Sequence, residues 1–367
     1  MRVAEPGAGA YEAAGVDYGV LDAAKRRSIE AVRSSLAWPE PEGAHVLAET
    51  VGEPAQVVEV GGLRLATVIE CLGTKSTVAL EAEPLGIDGW LAIGVDMVAA
   101  VVNDLCCTGA LPLTFSAYVA TGDPAWYSGS RHASLIEGVR RACQECRAAF
   151  VGGESPTLSG VVAARAVDLA GAAVGLVEGE VWLGRRLEPG DDIVLVASSG
   201  LHANGASLAR RVASSLPAGW ATELPSGRRL GEALLDASVL YPPLVGALSR
   251  SRLPVHYASH VTGHGLRKLM RAERELTYRI RELPPVPEVL AWLASTAGLD
   301  DATAYGTFNM GAGFALYVPE GAGAPAAALA ESAGYHALVA GQVEEGPRQV
   351  VLEPLGVAYG TDSLDLR

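Results

Sequence analysis

Residues 92–109, AIGVDMVAAVVNDLCCTG, set strongly polar side chains at Asp96, Asn103 and Asp104 within an otherwise apolar stretch, and this limits what the chain can fold into. With no proline inside it and Gly109 as a C-terminal cap, the stretch reads as one buried helix of roughly four to five turns. Seven residues of helix turn through roughly 700°, so Asp96 and Asn103 lie within about 20° of each other on one face, with Asp104 about a quarter-turn away. Carboxylates in such a helix need a cation or dense hydrogen bonding. Either the polar side belongs to a site, or Asp96 caps a turn and Asn103 and Asp104 end the helix in water.

A chain of 367 residues, 49% of them hydrophobic, is too long for one comfortable core, so two α/β lobes are expected. Acidic residues outnumber basic ones 42 to 28, and no Lys/Arg cluster is long enough to follow a nucleic acid backbone. Nucleic acid is not an expected partner. An acidic chain can still bind an anion such as ATP where metal ions and backbone N–H groups reverse the local field. No apolar run reaches about 18 residues and no apolar h-region opens the chain, so neither a membrane span nor a signal peptide is expected and the location reads as cytoplasmic. Cys71, Cys106, Cys107, Cys143 and Cys146 form no even framework, and the single CxxC lacks a second pair; packed thiols are the expected reading.

Along the chain, residues 1–10 read as flexible and 20–36 as a helix. Two strands, 57–60 and 63–69, flank Gly61-Gly62 as a tight hairpin, and the second runs into Glu70-Cys71-Leu72-Gly73-Thr74-Lys75. A strand ending in an acid, a glycine, a hydroxyl and a lysine suits a metal-bound phosphate, although Gly-Thr-Lys also occurs in ordinary turns. Residues 113–120 alternate as a strand, 131–149 form an amphipathic helix, and Gly152-Gly153-Glu154-Ser155 makes a second strand-to-loop junction. Small residues over 164–177 read as a strand or strand pair. A boundary falls at 178–190, before a strand at 192–197 that ends in Ser199-Gly200-Leu201-His202-Ala203-Asn204-Gly205 and a helix to about 216. Backbone N–H groups at that junction suit an anion, and His202 reads either as a site residue or as a hydrogen-bonded structural histidine. His260 to Gly265 opens a further helix, a strand covers 314–318, and 358–367 read as a loose tail.

In this order, Gly15-Val16-Asp17, Gly73-Thr74-Lys75, Gly94-Val95-Asp96 through Asn103-Asp104-Leu105, Ala120-Thr121-Gly122, Gly152-Gly153-Glu154, Ser199 through Gly205, Thr262-Gly263 and Phe308-Asn309-Met310-Gly311 resemble the aminoimidazole ribonucleotide synthetases. These are the phosphoribosylformylglycinamidine cyclo-ligases of purine biosynthesis, and the resemblance covers roughly residues 11–352. It implies a homodimer of two-domain α/β (α+β) protomers whose N-terminal sheets pair into a central barrel, with residues 1–178 as the ATP- and metal-binding domain and 179–367 completing the cleft. It implies that ATP and Mg²⁺ convert formylglycinamidine ribonucleotide to aminoimidazole ribonucleotide, through phosphorylation of the formyl amide oxygen. On that basis Glu70, Asp104 and Glu154, supported by Asp96 and Asn103, are expected to hold Mg²⁺. Lys75 is expected to stabilise the transferring phosphoryl group and His202 to act beside it. Gly73, Thr74, Asn204, Thr262 and Gly263 would contact the nucleotide, and Asp17 would close over it.

The chain departs from the family pattern at several points. Glu70-Cys71-Leu72 replaces Asp-Gly-Val, a glycine- and phenylalanine-rich loop near 43–48 is missing, Thr157 and Ser159 stand where an acid and a proline are usual, and His264 replaces a glycine. These departures leave open a paralogue acting on a different amide or carbamoyl substrate, and a non-catalytic nucleotide-binding scaffold.

Overall fold

The computed structural model describes residues 2–3 and 18–364, and of residues 2–3, 18–26 and 362 the backbone alone. The described residues build two sheets with helices packed on them. A two-residue strand, β1 (Arg2–Val3), belongs to the second sheet. The first sheet comprises β2 (Ala44–Val46), β3 (Gln56–Val60), β4 (Leu63–Cys71), β5 (Ala110–Thr121), β6 (Ala149–Glu154) and β7 (Val167–Val177), in the order β2-β3-β4-β7-β5-β6. The β3–β4 hairpin turns at Gly61 and Gly62, both at positive φ, as a two-residue turn between twisted strands requires.

One face of this sheet is buried by helices; α1 (Tyr18–Ser35) precedes the sheet, and α2 (Lys75–Ala82), α3 (Trp90–Cys106) and α4 (Ser130–Cys146) lie within it in sequence. The apolar stretch read as 92–109 is α3, and its helix ends at Cys106 with Gly109 following at φ 80°. Gly94 inside α3 has a packing reason. A Cβ there would stand 2.1 Å from the Leu135 carbonyl oxygen, and one at Gly138 would stand 2.0 Å from that of Leu91, so α3 and α4 touch backbone to backbone.

The second sheet adds β8 (Asp192–Ala197), β9 (Tyr257–His260), β10 (Leu276–Ile280), β11 (Ala312–Val318), β12 (Ala337–Glu345), β13 (Gln349–Leu352) and β14 (Val357–Gly360), in the order β1-β14-β13-β10-β12-β8-β11-β9. Its helices include α5 (Ala206–Ser215), α6 (Leu230–Leu234) and α7 (Pro242–Ser251). Two expectations change here. The stretch read as a loose tail contributes β14, because Val357 to Gly360 finds backbone partners along β13, and Arg2 and Val3 join its outer edge instead of the first domain. The helix expected after His260 is a 3₁₀ segment, Gly265–Met270. Among the described residues no helix is long and apolar enough to cross a membrane.

Candidate active site

A cleft of about 670 Å³ runs between the two halves, lined by the end of β4, the outer side of α3 and the loops before α5 and after β9. Two helix N-termini meet there. α2 begins after Gly73 and Thr74, α5 begins after Asn204 and Gly205, and neither first turn is capped by a side chain of its N-cap residue. Their first-turn N–H groups therefore keep capacity for a ligand, and both macrodipoles favour negative charge at the same place. Thr74 and Ser207 hydroxyls meet at 2.9 Å and tie the two starts together. Gly73 lies at φ 72° with open space where a Cβ would be, so the backbone is bare toward the cleft.

Charged groups line the same cleft. Asp104 lies with one oxygen, Oδ1, 2.7 Å from His260 Nδ1, and both side chains border the cleft. Glu70 opens onto the cleft, yet the protein mass around its carboxyl and then the Asp104 carboxylate raise its proton affinity above that of an ordinary glutamate, with Lys268 and Arg271 opposing the rise. Lys268 is only 8% exposed. Burial first, then Arg271, pushes its ammonium down to about 7. Arg271 donates to the Gly52 carbonyl at 2.7 Å and stands 3.7 Å from Glu53, whose carboxylate accepts from Tyr257 at 2.9 Å.

The structure brings together Glu70, Gly73, Thr74, Asn103, Asp104, His202, Asn204 and Thr262 along this cleft. It places others elsewhere. Lys75, expected at the phosphoryl group, has no exposed surface: its Nζ lies 2.6 Å from Asp96 Oδ2 and donates to the Asp236 carbonyl at 2.9 Å. Asp96 Oδ1 accepts from the Ser238 N–H and hydroxyl, at 2.7 and 2.6 Å, and Oδ2 has the Lys75 ammonium as its charge partner. Asn103 donates to the Val239 carbonyl at 2.8 Å and accepts from the Tyr241 N–H at 2.9 Å. Asp96 and Asn103 do share a helix face, but that face grips chain, and neither supports a metal. Glu154 ends the edge strand β6 in an exposed position away from the cleft lining. Gly263 follows Thr262 in the chain but does not itself line the cleft, and Asp17 lies outside the described residues. Among the described residues no group of three or more His, Cys, Asp or Glu side chains could hold a metal ion.

His202 is buried at φ 58°, and its Nε2 accepts from the Ser199 N–H at 3.2 Å and the Val239 N–H at 3.4 Å. An acceptor at Nε2 puts the ring proton on Nδ1. Burial, then the neighbouring His260 and Lys75, hold its pKa well below the usual histidine value. The sign follows: a histidine with a depressed folded pKa costs stability as pH falls below about 6.5, where the unfolded chain takes up a proton that the folded one refuses. His202→Asn, which tolerates positive φ, should flatten the stability decline between about pH 6.5 and 5 relative to wild type, as read by urea unfolding. An identical decline in both proteins would mean that other groups carry it.

Residues 52–177 match the family described as AIR synthase related protein, N-terminal domain, and residues 188–353 match its C-terminal domain. The chain belongs to the AIR synthase related family. Among curated members, the phosphoribosylformylglycinamidine cyclo-ligase of Parasynechococcus marenigrum (strain WH8102) is 34% identical, over 84% of this chain and 88% of that protein. The enzyme of the same name from Anaeromyxobacter sp. (strain Fw109-5) is 37% identical over 77% and 81%. Of solved family-like structures, tt0281 from Thermus thermophilus has a TM-score of 0.57 at 23% identity, covering 88% of this chain and 97% of its own. Hydrogenase maturation protein HypE in complex with ATP gives 0.57 at 21%, covering 80% and 83%. AaThiL complexed with AMPPCP and TMP gives 0.56 at 17%, covering 83% and 88%. These structural likenesses show the fold. The family motifs did not point to Glu53, His260, Lys268 or Arg271 as cleft residues, and Lys268, beside Arg267 between Leu266 and Leu269, carries no local signal of its own.

Proposed function

We propose that the chain is an ATP-dependent cyclo-ligase that converts formylglycinamidine ribonucleotide to aminoimidazole ribonucleotide with release of ADP and phosphate. The substrate pair follows the named activity of the relatives that this chain matches over most of their length. The observation that carries the nucleotide chemistry is the meeting of two uncapped helix N-termini in a cleft that Glu70 and Asp104 also line. HypE in complex with ATP and AaThiL complexed with AMPPCP and TMP, on the same fold, support a nucleotide ligand for the chain.

Oxygen is a poor leaving group from an amide, so the reaction needs it phosphorylated. The formyl oxygen attacks the γ-phosphorus, its bond to phosphorus forms as the bridging bond to ADP breaks, and an imidate-like phosphate ester results. The amidine nitrogen then adds to that carbon, phosphate departs with the former formyl oxygen, and one proton is released as the ring closes. Little covalent work is left for protein groups. The N–H groups at the starts of α2 and α5, with Thr74, Thr262 and Gly263, hold phosphate oxygens, and Asn204 borders them. Lys268 and Arg271 offset the negative charge of the phosphorylated substrates, and His202 packs beneath the α5 loop. Asp17 would close over the nucleotide.

Glu70 and the second oxygen of Asp104 suit Mg²⁺, which commonly takes one or two carboxylates and completes its shell with phosphate and water. When bound, Mg²⁺ neutralises and aligns the triphosphate. A homodimer is part of the proposal. Its support is the outer face of the first sheet, where Ile69 is 75% exposed and Thr67 pairs across β4–β7 with the exposed Val174. Unpaired cysteines suit a reducing compartment such as the cytoplasm.

The test is an ADP-release assay on purified protein with Mg-ATP and formylglycinamidine ribonucleotide, following the aminoimidazole product in parallel. One imidazole per ADP supports the reading. ADP release that appears only with a different amide would assign the same chemistry to another substrate, and no release with bound nucleotide would leave a scaffold.

A further inference from the structure

Between α6 and α7 the chain runs irregularly through Asp236, Ala237, Ser238, Val239, Leu240 and Tyr241, and it is buried for much of that length. A buried segment with no strand beside it must find partners for its backbone elsewhere. It finds them in side chains. Lys75 meets the Asp236 carbonyl, Ser199 that of Ala237 at 2.6 Å, Asn103 that of Val239 and Tyr335 that of Leu240 at 2.7 Å. The N–H groups of Ser238, Val239 and Tyr241 go to Asp96, His202 and Asn103.

These partners come from both halves of the molecule. Lys75, Asp96 and Asn103 stand on α2 and α3 of the first half, while Ser199, His202 and Tyr335 belong to the second. The segment is therefore the seam along which the halves are registered. His202 receives its Val239 contact from the same backbone that Asp96 and Asn103 hold on either side. A shift of Ser238 would move the Val239 N–H, one of the two donors that, with the Ser199 N–H, keep Nε2 an acceptor.

We infer that Lys75 is a positioning residue, which with Asp96 latches residues 236–241 to the first half and thereby fixes the placement and tautomer of His202 in the cleft. Lys75 acts through charge compensation: with both groups fully buried, removal of either leaves the other unpaired, whereas removal of both leaves no charge at all. A lysine whose task was to touch a phosphoryl group could not be replaced in that way. The inference refines the site described under the proposed function, but its first two readouts need no substrate.

The experiment compares wild type with Lys75→Met, Asp96→Asn and the double variant carrying both. Each single change should raise the unfolding equilibrium constant by about 10²–10³-fold, and the double variant should recover most of that loss. Histidine ¹⁵N NMR on the protein without ligands should show Nδ1-protonated His202 in wild type and in the double variant, and a tautomer mixture in either single variant that folds. With the cyclo-ligase assay, turnover in the double variant should return to within about tenfold of wild type. A double variant that folds like wild type but keeps a several-hundred-fold loss of kcat would overturn the inference and restore Lys75 to the phosphoryl group. So would a His202 tautomer that does not respond to the single changes. Should the single variants fail to fold, the stability, tautomer and turnover of the double variant alone decide between the two roles. Wild type lacking cyclo-ligase activity would sink the proposed function and leave the stability and tautomer readouts intact.

Discussion

Lys268→Met should lower kcat/KM for the ribonucleotide substrate by about 10- to 150-fold and, at the same time, make the protein more resistant to heat. The two effects have one origin. The Lys268 side chain is almost entirely buried, and among the described residues its ammonium makes no hydrogen bond and no ion pair within 4 Å. A charge held that way costs folding free energy unless something compensates it, and burial already pushes its pKa down to about 7. Methionine keeps the unbranched apolar stem, one atom shorter, and removes the cost. An anionic substrate in the cleft would supply the missing partner, and a hydrogen bond to a charged group contributes about 1.5–3 kcal/mol, which sets the loss in kcat/KM. Steady-state kinetics with each substrate varied in turn, beside thermal unfolding, checks both halves. Raised stability with unchanged kcat/KM would show that no substrate group reaches Lys268.

Asp104→Asn should be the more damaging change to catalysis. Asparagine keeps an oxygen for His260 Nδ1, so the 2.7 Å contact and the local packing can persist. What disappears is a negative charge on the cleft wall next to Glu70. With one anionic ligand fewer, the Mg²⁺ concentration for half-maximal rate should rise by at least about tenfold, and kcat at saturating Mg²⁺ should fall by about 10²–10³-fold as alignment of the triphosphate is lost. Glu70 should respond as well: its proton affinity is raised partly by Asp104, so its pKa should fall in the variant. An unchanged Mg²⁺ titration would separate α3 from metal binding altogether and leave Asp104 as the orienting partner of His260.

Much of the architecture was legible in the sequence. The polar positions of α3, the Gly61-Gly62 hairpin and the β4-to-α2 junction are local features, set by periodicity and turn chemistry, and they stand close to where the sequence puts them. Asp96 and Asn103 show the limit of that reasoning. Helical spacing gives the shared face but not what lies opposite it, and the partner is backbone some 140 residues along the chain rather than metal. Lys75 differs for the same reason. Its place after Gly-Thr suggests phosphate, yet helix geometry turns it inward onto Asp96. Lys268, Arg271, Glu53 and His260 come from a 3₁₀ segment and its end, a loop and a strand end, which only the packing of the two sheets brings to the cleft, so their sequence neighbours say little about them. The end of the chain escaped for a further reason: β14 is short and gains its partners from β13 and β1, which are pairings that no local pattern announces.

Phosphorylation of the formyl oxygen is tested most directly by labelling that oxygen. Formylglycinamidine ribonucleotide carrying ¹⁸O in the formyl group, turned over with unlabelled Mg-ATP, should yield inorganic phosphate with one ¹⁸O per imidazole formed, because the oxygen that accepts the γ-phosphoryl group leaves with it. Unlabelled phosphate, with the ¹⁸O recovered in water or retained in the organic product, would contradict an activated amide oxygen and require ATP to be hydrolysed for some other step.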